Sequence, residues 1–130
     1  MNIEKQLETA VKTNHLVLVV FYADWSPHYE WIGPVLRTYE KRTVELIRVN
    51  AEENRTIADA HNVETVPAFL LLHKGHELWR QVGELTVGEL KEVLDDSSKS
   101  FVIFIGIYEN DLSFSDEKMS VLNMLVFSLL

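Results

Sequence analysis

Val17-Leu18-Val19-Val20-Phe21-Tyr22-Ala23-Asp24-Trp25-Ser26-Pro27-His28-Tyr29-Glu30-Trp31-Ile32-Gly33-Pro34 changes character twice. From His15 to Ala23 the chain is a near-continuous apolar run rich in Val, the pattern of a strand buried on both faces. Ser26 and Pro27 then read as a helix start. Ser is a favoured N-cap, and Pro at the first helical position gives up an N–H that has no partner there anyway. The spacing predicts a helix from about Pro27 to Lys41. Three aromatics, Trp25, Tyr29 and Trp31, gather around the same turn.

Working outward, Ile3, Leu7, Ala10 and Val11 repeat at helical intervals, so residues from about 2 to 13 read as an amphipathic helix. Val44 to Val49 reads as a second strand and Glu53 to His61 as a short helix. Asn62 suits the left-handed position that closes such a helix. Phe69 to His73 and Glu77 to Val82 form a hairpin around Lys74-Gly75. Thr86 with Glu89 is a capping box for a helix reaching Leu94. Asp95 to Ser100 reads as a linker. Phe101 to Tyr108 is an apolar run resembling a strand. Ser113 or Ser115 could cap a last helix whose body, Met119 to Leu130, is apolar almost all round. The order is α-β-α-β-α-β-β-α, an α/β protein.

The quoted stretch resembles the active-site region of thioredoxins. In that family a buried strand ends in Trp, then Cys-x-x-Cys, with a Pro five residues after the second Cys. Trp25 and Pro34 match. The two cysteine positions are Ser26 and Tyr29. Asn62-Val63-Glu64-Thr65-Val66-Pro67-Ala68-Phe69 resembles the family's cis-proline segment, and Gly83-Glu84-Leu85-Thr86-Val87-Gly88-Glu89-Leu90 its last turn and helix. The resemblance covers about residues 2–97, and residues 98–130 resemble no family. It implies a thioredoxin-like fold, a central mixed sheet flanked by helices with the strand at 16–23 in the middle. The family's first strand is missing, which implies an open edge at 44–49. Two domains are expected, 1–97 and a C-terminal apolar extension, 98–130.

The chain has 130 residues and no cysteine. Thiol–disulfide exchange needs a thiolate to attack a sulfur. Neither an alcohol at 26 nor a phenol at 29 can do so. Val20 also stands where redox members often carry a buried Asp that handles protons. A redox-inactive protein is expected, not an enzyme, with no cofactor.

Each candidate residue has two readings. Ser26 is either a cap or a nucleophile. A nucleophile needs a base and an orienting acid, and His28 has no evident carboxylate, which favours the cap. Trp25 and Tyr29 are either packing or recognition aromatics. Val66-Pro67 resembles the family's cis bond, which implies a backbone turned toward the active-site loop to pair with an extended peptide. Trp25, Ser26, Pro27, His28, Tyr29, Val66 and Pro67 therefore form the expected peptide-binding set. Asp24 stands where many family members carry an acid, with no thiol to activate. The five histidines include one short pair, His73 and His76, where structural zinc wants two such pairs. They read as solvated turn residues.

Apolar residues make up 47% of the chain, enough for a core, and the net charge is −8. That charge opposes nucleic acid and anionic membrane as partners. No run approaches the ~20 apolar residues of a membrane span, and the N-terminus lacks the layout of a signal peptide. A cytoplasmic protein is expected. Its partner would be a protein or extended peptide held as by an adaptor or chaperone-like helper, with a possible homodimer through the C-terminal extension. Two alternatives stand beside this reading: disulfide exchange by family similarity, and a structural self-associating module.

Overall fold

The computed structural model describes residues 2–96. The elements are α1 (Ile3–Val11), β1 (Leu16–Tyr22), α2 (Ile32–Arg37), β2 (Val44–Asn50), α3 (Arg55–Ala60), β3 (Ala68–His73) and β4 (His76–Val82). A further helix, α4, occupies 87–96. The chain divides into two units between Val87 and Gly88. In the second, residues 88–96 are helical, and Leu90 and Leu94, one turn apart, are buried. The expected strand at 101–108, the helix at 119–130 and the dimer through the extension lie outside the described residues. Asp95 and Asp96 are helical rather than part of a linker.

The sheet runs β2-β1-β3-β4. β1 is parallel to β2 and antiparallel to β3, and β3 pairs antiparallel with β4. The two central strands carry the most apolar sequences, LVLVVFY and AFLLLH, and are buried on both faces. Side chains alternate across a strand, so one face takes Val17, Val19, Phe21, Ile47, Val49, Leu70 and Leu72 into a core with Ala10 of α1 and Ala58 of α3. The other parity, with Leu16, Leu18, Val20, Phe69 and Leu71, is equally buried. Ile32 and Leu36, one turn apart, are the buried residues of α2. Among the described residues no strand lies outside β2, the edge expected to be open at 44–49. Its Glu45 and Arg48 are the kind of charged edge residues that discourage unplanned pairing.

Local chemistry sets most boundaries. Asn2 caps α1 by accepting the Lys5 N–H at 2.8 Å. Asn62 closes α3 at φ 57°. The β3–β4 turn places Lys74 at φ 50° and Gly75 at φ 83°, the left-handed pair that a tight hairpin requires. A Cβ on Gly75 would meet Val11 Cγ1 at 2.7 Å, so the turn sits directly against α1.

The helix expected from Pro27 does not start there. It starts at Ile32 and ends at Arg37. Tyr29 has φ 51°, a left-handed conformation that a right-handed helix cannot contain. Pro34 consequently falls in the first turn of α2, where its missing N–H would have had no partner in the helix. Ser26 is therefore not the cap of α2. Among the described residues, no helix is long and apolar enough to cross a membrane.

Candidate functional site

The loop between β1 and α2 is tied down on three sides. At its start, Ser26 is buried, and its Oγ accepts the Ala23 N–H at 2.9 Å while donating to the Ala23 carbonyl at 2.9 Å. The hydroxyl thus closes a turn back onto the strand end. Its proton points at a carbonyl rather than a base. The His28 ring lies instead on Tyr22, with centroids 5.0 Å apart. The pairing a serine nucleophile needs is not assembled here.

The second tie comes from the end of β2. The buried Asn50 donates from Nδ2 to Asp24 at 3.1 Å, and its Oδ1 accepts the N–H groups of Glu52 and Glu53 at 3.0 and 3.2 Å. Asp24 is thus a structural acceptor. Glu52 in turn accepts the Trp25 indole N–H at 2.5 Å. Trp25 is 73% exposed, yet its polar edge is fixed, so its apolar face is held out to solvent.

The third tie is Arg48, whose guanidinium donates to the carbonyls of His28 and, at 3.1 Å, Tyr29. A bulky residue at positive φ persists only where its surroundings hold it. Arg48 grips the carbonyl side of Tyr29. Phe69 packs edge-on against its ring at 5.0 Å, and Trp31 lies at 6.2 Å. Tyr29 is half-buried, and Trp31 is also half-buried.

Across from this loop lies the start of β3. Phe21 is opposite Ala68. Continuing that antiparallel register brings Pro67 to the level of Tyr22 and Val66 to the level of Ala23. The Val66–Pro67 bond is cis. The Val66 side chain packs against the core, while the Pro67 carbonyl accepts the Gly83 N–H at 2.9 Å. Among the described residues no hydrogen bond engages the Val66 backbone. The Tyr29 ring, packed on Phe69, ties the loop to β3 just past Pro67.

Three residues escaped the sequence reading: Arg48, Asn50 and Glu52. Each lies on or just after β2, far from the loop in sequence. The only trace was a polar cluster at a strand's end, where active-site loops of parallel strands often sit. His73 and His76 pair across the β3–β4 turn, but His73 is buried and not the solvated turn residue expected. His15 meets Glu45 at 2.9 Å, His61 packs beside Phe21, and His73 is buried at the opposite end of β3. Among the described residues no three His, Asp or Glu side chains group to hold a metal. The His73 imidazole sits below its ordinary pKa, first through burial, then through Lys74, Arg42 and His76.

The family described as Thioredoxin matches residues 2–96. Thioredoxin of Buchnera aphidicola subsp. Schizaphis graminum is 30% identical over 101 residues, covering 75% of this chain and 91% of that protein. Thioredoxin Y1, chloroplastic, of Arabidopsis thaliana is 28% identical over 92 residues, 68% of this chain. The matched part spans about half the length of that plant relative, 54%. Among solved structures, a mutant thioredoxin from Halobacterium salinarum NRC-1 superposes with a TM-score of 0.61 at 27% identity, over 72% of this chain and 84% of the other.

Proposed function

Because this chain belongs to the thioredoxin family and yet has no cysteine, we propose that it binds an extended peptide or client segment without covalent chemistry. The peptide lies between the loop of Trp25, Ser26, Pro27, His28 and Tyr29 and the segment Val66-Pro67. The observation that carries this reading is the Val66 backbone, unbonded among the described residues, together with the exposed indole of the β1–α2 loop fixed by Glu52. An extended peptide satisfies open main-chain groups as an added strand does. A rigid exposed aromatic supplies apolar contact at little cost in side-chain freedom. Exchange chemistry has no reactant here, since the chain brings no thiol.

The test is a titration of the protein with a panel of unstructured peptides, followed by backbone NMR shifts. Binding peptides are expected to move the signals of Trp25, Tyr29 and Val66, and Trp25→Ala to weaken them by about tenfold. Insulin reduction with dithiothreitol is expected to stay at the uncatalysed rate. Shifts that avoid both segments, or turnover above background, would refute the reading.

A further inference from the structure

On the core-facing side of β1 and β3, a groove of about 430 Å³ runs between α1 and α3. Its floor is Val17 and Leu72, both buried. Its walls include Leu7 and Val11 of α1 and Ile57 of α3. The apolar stripe of α1 is only partly covered, for Leu7 is half-buried and Val11 is 39% exposed. The volume falls in the range of sites that take a specific ligand, about 300–1,000 Å³.

The rim carries Glu4 and Glu8. Among the described residues neither joins an ion pair. Four residues along a helix is about 6 Å, so the two carboxylates repeat once per turn. Leu7 and Val11 have the same spacing. A second helix laid alongside α1 presents side chains at that interval, with apolar residues toward the groove and its flanking charges toward the rim. The charge on the rim decides the partner. A second copy would bring its own Glu4 and Glu8 and the same excess of acid, and an anionic membrane would be repelled.

We propose that this groove docks an amphipathic helix of a partner protein, with apolar residues one turn apart and Lys or Arg along its edge. The site is separate from the peptide-binding loop and does not depend on it.

The probe is a peptide of about 20 residues, long enough to be helical, with Leu at helical spacing and Lys at i, i+4 on its flank. A counterpart carries Glu in place of Lys. Binding is read by fluorescence anisotropy against the full chain, and sedimentation reads its oligomeric state. The basic peptide is expected to bind more tightly than the acidic one. Glu4→Lys with Glu8→Lys, or Val11→Asp alone, is expected to weaken it about tenfold. Reversing Glu40 and Glu64, exposed acids outside the groove, should change affinity less than twofold. Equal losses from the two reversals would mean non-specific attraction and overturn the proposal. So would no binding, no preference for the basic peptide, or a dimer that dissociates on Val11→Asp. Peptide signals at residues 25–29 and 66 would report on the other site and leave these outcomes readable.

Discussion

Ser26 shows how one position changes its meaning once its neighbours are known. In the sequence it reads as a cap because Pro27 follows it. In the fold its hydroxyl bonds both polar groups of Ala23 and is buried. Removing the hydroxyl leaves the Ala23 N–H unsatisfied, at about 1–3 kcal/mol, while the Ala23 carbonyl keeps the Ser26 N–H at 3.0 Å. Ser26→Ala is therefore expected to lower unfolding free energy by about 1–3 kcal/mol, with the loop around Ala23 exchanging amide hydrogens faster. A loss below a few tenths of a kcal/mol would show that the hydroxyl does not hold the turn. Trp25 illustrates the complementary case. An exposed indole looked equally like packing or recognition until Glu52 was seen on its N–H. Glu52 lies in the turn after β2, and no residue adjacent to Trp25 in sequence announces it.

At the scale of elements, the loop and β2 form one assembly. Arg48 reaches from the strand to two successive carbonyls, while Asn50 and Glu52 reach to Asp24 and Trp25. A helix starting at residue 27 would have turned the carbonyls of 28 and 29 into its own ladder. The left-handed Tyr29 keeps them out of a helix begun at 27, and Arg48 donates to both, while the Tyr29 carbonyl also accepts the Ile32 N–H at 3.1 Å. Hydrogen bonds to a charged group contribute about 1.5–3 kcal/mol, reduced here because Arg48 is only half-buried. Arg48→Met, which keeps most of the apolar stem, is expected to cost about 1–2 kcal/mol in urea unfolding and to broaden the Tyr29 ring signals. A variant as stable as the parent with an unchanged Tyr29 environment would show the loop holding its shape without Arg48.

For the molecule as a whole, His73 links stability to pH. Its folded pKa lies below the ordinary 6.5, so the unfolded chain takes up a proton more readily. Stability from the neutral imidazole is complete above about 6.5, the unfolded value. It falls as pH drops below that toward the folded value, where the loss levels off. Thermal midpoints are expected to fall through this window, and His73→Leu to flatten the fall. An unchanged slope in the variant would assign the acid sensitivity to other groups. The fold itself was largely legible. Two buried β strands, LVLVVFY and AFLLLH, announce themselves by composition alone, because a strand covered on both faces has no polar period. The left-handed Asn62 and the Lys74-Gly75 turn were equally local, since the side chains that tolerate positive φ are few. The absence of a thiol was settled by the sequence, because no arrangement in space can supply a group the chain lacks. Tertiary structure alone decided where α2 begins, what Ser26 bonds, and that Arg48, Asn50 and Glu52 serve the loop. These follow from parallel pairing of β1 with β2, which brings together residues separated by a whole crossover. Local propensity cannot register a contact between segments so far apart along the chain.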